Sequence, residues 1–135
     1  MDILSMLVSR TVESVRHDAV LKEAAGIMRD KKIGSLLVSR DGQTVGIVSE
    51  TDITRKAVAE GLASNEVRVE SIMSHPVITI GIDATPETAN DLMKDKGIRH
   101  LAVTENGEIV GVVSVRDLLR YFKVYYDGIG SLRQK

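Results

Sequence analysis

The sequence contains no cysteine, which excludes disulfides, zinc–thiolate centres and thiol catalysis. It also has no tryptophan. Its three tyrosines and single phenylalanine fall together as Tyr121, Phe122, Tyr125 and Tyr126. The core must therefore be aliphatic, with the aromatics forming a separate patch towards the C-terminal end. Neither sign of charge dominates: 18 Lys and Arg stand against 19 Asp and Glu, for a net charge of -1. That balance argues against a general nucleic-acid surface, which needs a basic excess. No apolar run approaches the roughly 18 residues needed to cross a bilayer. The acidic start Met1-Asp2 and the short apolar stretch behind it do not make a signal-peptide pattern. A soluble, cytoplasmic protein is the expectation.

What the chain does have is an internal repeat. Residues 11–56 align without a gap on residues 76–121, and 17 of the 46 positions are identical at a constant offset of 65. Identical pairs include Asp18/Asp83, Ala24/Ala89, Met28/Met93, Val45/Val110, Gly46/Gly111, Ser49/Ser114 and Asp52/Asp117. A duplication sets the architecture. Half of 135 residues would be marginal as an independent domain, so the two halves are expected to pack as one module.

Each half reads β-α-β-β-α, an α/β (α+β) class. Residues 3–8 and 68–73 read as short helices leading into the repeats. Residues 12–15 and 77–80 are β-branched runs, expected to be strands. In the second repeat, Thr85 suits a helix N-cap, Pro86 the first helical position and Gly97 the stop. The first repeat carries Val20, Ala24, Ile27 and Met28 on the matching face behind a weaker cap. Asp41-Gly42 and Asn106-Gly107 are hairpin turns between apolar strands, because those residues tolerate positive φ. Closing helices are expected to start near Glu50 and Val115. The first should stop around Gly61, and the second should run towards Tyr126 and end before Gly128. The resulting boundaries are repeats at 4–62 and 68–126 and a polar tail at 127–135.

Catalytic signatures are missing. His17, His75 and His100 do not stand at metal-ligand spacings, and no nucleophile, base and orienter form a group. A non-catalytic protein without a metal is expected.

Two Ser-x-x-Asp turns carry the binding chemistry, Ser49-Glu50-Thr51-Asp52 and Ser114-Val115-Arg116-Asp117. A helix N-terminus offers free N–H groups and a partial positive charge, which suits phosphate. Ser49, Thr51, Ser114 and Arg116 add hydroxyls and a guanidinium, and a carboxylate one turn on can accept both hydroxyls of a ribose. The Val-Gly strands ahead of the turns would let backbone approach a flat base. Ser49…Asp52 and Ser114…Asp117 also read as plain capping boxes, worth about 1 kcal/mol each and needing no ligand. Both readings stay open on the motif alone. Arg99-His100 is either an exposed strand start or a phosphate clamp. The aromatic cluster either covers the fold's own edge or forms a subunit interface.

The doubled pattern Ile-x-x-Leu-x-Val-x-x-x-Gly-x-x-Val-Gly-h-Val-Ser-x-x-Asp, where h is apolar, resembles a tandem pair of cystathionine-β-synthase (CBS) domains, a Bateman module. The resemblance covers about residues 4–126. It implies pseudo-two-fold-related halves with two clefts between them, pairing of two modules into a disc-like homodimer, and a free-standing, non-catalytic sensor. The ligands it implies are adenosyl compounds: AMP foremost, ADP or ATP, with S-adenosylmethionine as an alternative, and an empty interaction module as another. By position it implies that Asp52 and Asp117 hold ribose, and that Ser49 with Thr51, and Ser114 with Arg116, approach phosphate. Arg99 and His100 would clamp phosphate. Thr11-Val12 and Pro76-Val77 would meet adenine, while Ile33, Gly34 and Ser35 would line the first cleft. Gly34-Ser35 in place of Arg99-His100 makes the Asp117 site the tighter one by expectation. The aromatic helix, Tyr121 to Tyr126, is a candidate dimer surface, and the protein partner is unknown.

Overall fold

The computed structural model describes Ser5, Leu7, Val8 and residues 12–133, with side chains as far as Gly128. Of the expected leading helix at residues 3–8, Ser5 and Leu7 are helical, Val8 lies in a bend, and residues 3, 4 and 6 lie outside the described residues. Two compact units follow, Val12–Ile78 and the chain from Thr79 onward.

In the first unit the order is β1 (Ser14–Arg16), α1 (Leu21–Lys31), β2 (Ser35–Arg40), β3 (Gln43–Ser49) and a closing helix α2 (Glu50–Asp52) that runs on as a π-helix, Ile53–Val58. A 3-10 turn, Val69–Ser71, comes last. β1 lies parallel to β2 (Val15 opposite Val38), and β2 pairs antiparallel with β3 (Leu36 opposite Val48). Asp41 and Gly42 take φ of 50° and 78°, the mirror-image turn that matches strand twist. The strand expected at 12–15 begins later. The parallel ladder opens with Ser14 opposite Leu37, and Val12, 39% exposed, precedes it.

The core of this unit is aliphatic: Val15, Leu21, Ala24, Met28, Leu36, Val38, Val48, Ala57, Val69 and Ile72. Fully burying a Leu or Val side chain contributes about 1.5–3 kcal/mol. Leu21, rather than Val20, heads the buried stripe of α1. Val20 is the N-cap and supplies no side-chain bond. The chain compensates from the connector behind α2: Leu21 N–H donates to Val67 O at 3.0 Å and Lys22 N–H to Ser64 O at 2.9 Å. Backbone carbonyls thus satisfy donors that a Ser or Asp cap would otherwise take. α2 ends at Val58, and Gly61 takes φ of 70° in the turn beyond.

The second unit repeats the plan: β4 (Thr79–Gly81), α3 (Pro86–Lys96), β5 (His100–Glu105), β6 (Glu108–Ser114) and α4 (Val115–Arg133). β4 is parallel to β5 (Ile80 opposite Val103) and β5 antiparallel to β6 (Leu101 opposite Val113). Again the expected strand, residues 77–80, starts later, because the ladder opens at Thr79 opposite Ala102. Thr85 caps α3 by accepting from Thr88 N–H at 3.1 Å, Pro86 follows it, and Gly97 closes the helix at φ 65°. Both hairpins carry a bulge at the same place, leaving Val45 and Val110 as the extra residues.

The expected stop before Gly128 is not there. α4 continues to Arg133, so the segment expected as a polar tail from residue 127 is helical to that point. Glycine lowers helix stability by about 1 kcal/mol but forces a stop only where it takes a left-handed φ, which Gly128 does not.

A polar clasp ties the 3-10 turn to the ends of β1 and β2. His17 Nδ1 lies 2.6 Å from Glu70 Oε2, and Arg40 Nη2 donates to the same oxygen at 2.9 Å. The carboxylate can only accept, so the histidine proton sits on Nδ1. The His17 hydrogen bond, with Arg40 assisting against partial burial, holds the Glu70 carboxyl below its ordinary 4.5. A depressed pKa contributes stability that is present above 4.5 and lost as pH falls through the folded value. Glu70→Gln is therefore expected to melt lower than wild type at neutral pH, with the gap closing in acid. Melting curves across pH 7 to 3 check this, and a gap independent of pH would refute it.

Candidate functional site

In each repeat the hairpin and the closing helix bring the Ser-x-x-Asp turn beside the start of the middle strand. In the first, Ser35 pairs with Ser49, and Glu50 N–H donates to Gly34 O at 3.0 Å. In the second, His100 pairs with Ser114, and Val115 N–H donates to Arg99 O at 2.9 Å. Gly34, Ser35, Ser49, Thr51 and Asp52 thus gather at one end of their sheet. Arg99, His100, Ser114, Arg116 and Asp117 gather at the matching end of the other.

Both turns are capping boxes. Ser49 N–H and Oγ–H donate to Asp52 Oδ2 at 3.0 and 3.2 Å, and Asp52 N–H returns to Ser49 Oγ at 3.2 Å. Ser114 and Asp117 repeat the pattern at 2.8, 3.0 and 3.2 Å. In each box one carboxylate oxygen, Oδ2, has both acceptor positions used, and Oδ1 decides what more the Asp can do.

There the repeats part. Lys56, four residues on, places Nζ 3.0 Å from Asp52 Oδ1 and donates also to Ile72 O at 3.1 Å. Asp52 is 8% exposed, the one buried charged residue among those described. The residue in the place of Lys56 is Tyr121. Asp117 is half-buried, and among the described residues its Oδ1 accepts no hydrogen bond. Arg99 and Arg116 are exposed beside it and hold no salt bridge among the described residues. The second turn therefore presents a carboxylate oxygen with two open acceptor positions, and the same end of the sheet carries the exposed residues Arg99 and Arg116. The spacing Asp52…Lys56 is the helical ion-pair spacing and was the signal for this difference.

The remaining expected residues are placed less closely. Ile33 packs against the core of the first unit, with its N–H on Met28 O at 3.1 Å. Val12 is exposed ahead of β1, and Thr11 lies outside the described residues. Pro76, after a cis peptide bond, is exposed, and Val77 is half-buried ahead of β4. Gly46 corrects an expectation. The space a side chain would fill there is taken by Met73 Sδ and Ser74 O, not left open for a base. Ile47 N–H donates to Ser74 O at 3.0 Å and Ser74 N–H to Ile47 O at 2.8 Å, so the close approach is the chain's own backbone.

The family model of the CBS domain matches residues 2–59 and 69–124. The chain belongs to the CBS-domain family. Its two matched regions make it a tandem CBS pair, as the doubled motif implies. An uncharacterized protein of Methanopyrus kandleri is 40% identical over 100 residues, covering 73% of this chain and 51% of that protein. A mitochondrial CBS domain-containing protein of Arabidopsis thaliana is 33% identical over 112 residues, covering 76% and 52%. The chain thus spans about half the length of these two relatives. Among solved structures, a CBS-domain protein of Agrobacterium tumefaciens superposes with a TM-score of 0.79 at 30% identity, covering 87% of this chain and 88% of that one. A hexameric CBS-CP12 protein from bloom-forming cyanobacteria gives 0.81 at 29%, covering 88% and 71%. No helix among the described residues of this CBS pair is long and apolar enough to cross a membrane.

Proposed function

We propose that this CBS pair is a regulatory, non-catalytic sensor of adenine nucleotide, with AMP as the favoured ligand and ADP and ATP as the wider class. The observation that supports it is Asp117: its Oδ2 is held by Ser114 and its Oδ1 is open, which suits the paired hydroxyls of a ribose. Arg99 and Arg116 alongside suit phosphate, and an anionic ligand is favoured there over the cationic sulfonium of S-adenosylmethionine. A thermal-shift panel of AMP, ADP, ATP and S-adenosylmethionine tests the reading. A ligand at 100 times its Kd should stabilise by about 2.7 kcal/mol. A response to AMP and none to S-adenosylmethionine is expected. Silence with every compound would leave the turns as helix caps.

Self-association through α4 belongs to the same proposal. Leu119, Val124, Tyr125 and Tyr126 are 63%, 73%, 51% and 65% exposed. Tyr121 and Tyr125 stack at 6.1 Å, and Tyr125 meets Tyr126 edge-on at 5.5 Å. Rigid aromatics with apolar neighbours are what interfaces are enriched in. The Tyr125→Asp, Tyr126→Asp double variant should lower the mass measured by light scattering to that of one chain. An unchanged mass would overturn this use of the helix.

A further inference from the structure

We infer that Lys56 is a specificity-determining residue that silences the first turn: its ammonium occupies the carboxylate oxygen that a ligand's hydroxyls would need, confining nucleotide to the second turn. The inference rests on the adenine-nucleotide reading and adds which repeat binds, and why. Ser49 fills both acceptor positions of Asp52 Oδ2. Lys56 fills one of the two on Oδ1 at 3.0 Å. A vicinal diol brings two hydroxyl donors, and one acceptor position remains for them.

Geometry strengthens the block. Lys56 is anchored twice, on Asp52 Oδ1 and on Ile72 O, so two contacts place its half-exposed ammonium at the carboxylate. Asp52 is buried, and displacing the ammonium would leave that charge without its counter-ion. The π-helix Ile53–Val58 carries Lys56, whereas the matching stretch of the second repeat, residues 118–123 with Tyr121 in the place of Lys56, is regular α-helix. An internal cation thus does in the first repeat what an external ligand is free to do in the second.

Titration calorimetry with AMP on the full chain separates the possibilities. Wild type is expected to bind about one AMP per chain and to lose it in Asp117→Ala. Lys56→Met is expected to bind about two, the added event disappearing in the Lys56→Met, Asp52→Asn double variant. If Lys56→Met does not fold, Lys56→Tyr, copying the second repeat, takes its place, with circular dichroism melting as the check. One AMP per chain in both wild type and the Lys56 variants overturns the inference, as does wild-type binding that Asp52→Asn abolishes. If wild type binds no AMP, the nucleotide reading of the second turn fails. The silencing role then still stands or falls on whether the Lys56 variants gain an Asp52-dependent event.

Discussion

Asp117→Ala is expected to weaken AMP binding by about 100-fold or more. Each hydrogen bond from a ribose hydroxyl to a carboxylate is charge-assisted and worth about 1.5–3 kcal/mol. Two of them meet at Asp117 Oδ1, and each 1.4 kcal/mol is a tenfold change in Kd. The substitution also removes the capping box at the start of α4, because the Asp117 carboxylate accepts from both Ser114 N–H and Ser114 Oγ–H. That second effect lowers stability by about 1 kcal/mol whether or not a ligand exists. Thr85→Ala is the control, since it deletes a cap of similar worth on α3 in the same unit. It should melt lower yet keep its AMP affinity, whereas Asp117→Ala should lose both. Calorimetry on the three proteins decides. Equal AMP affinity in wild type and Asp117→Ala would reduce the second turn to a helix cap.

Much of this was written into local sequence. The hairpins were legible because Asp41-Gly42 and Asn106-Gly107 need positive φ, and the structure puts all four residues there. The cap at Thr85 and the stop at Gly97 were legible because each names a backbone conformation that few other residues serve. Val20 announced its missing cap, but nothing local could say that carbonyls of Ser64 and Val67 would take its place. The Ser-x-x-Asp boxes were legible as caps, and the asymmetry between them was available in the Asp52…Lys56 spacing.

What stayed hidden was set by contacts far apart in sequence. His17 and Glu70 are 53 residues apart, and the local ion pair of Glu70 with Arg68, 3.8 Å, gives no hint of the clasp. The glycine before the first turn carried a true message, close approach, with an ambiguous addressee. At Gly46 the addressee is the chain itself. A glycine alone does not stop a helix: Gly128 lies inside α4, because termination needs a left-handed residue and not merely a flexible one.

Gly46→Ala is expected to destabilise the protein by about 2–3 kcal/mol, within the range seen when a packed interior is overfilled. A Cβ at this position would stand 2.5 Å from Met73 Sδ and 2.9 Å from Ser74 O. The sulfur ends a flexible side chain and could turn away. Ser74 O cannot, because it accepts from Ile47 N–H at 3.0 Å while Ser74 N–H donates back to Ile47 O at 2.8 Å. A methyl group must therefore either break that backbone bridge or push β3 off β2 at Val38, the residue opposite Gly46, which is fully buried. Either path disturbs the strand that ends at Ser49 and with it the first turn. Gly42→Ala would meet no atom within 4 Å and suffers only the strain of φ 78°, so it isolates the backbone cost from the packing cost. Chemical denaturation of both variants separates them: Gly46→Ala should lose more stability, and Met73→Ala, which clears the sulfur but not the carbonyl, should restore only part of it. Full recovery in the Gly46→Ala, Met73→Ala pair would show that the side chain and not the Ile47–Ser74 bridge demands the glycine.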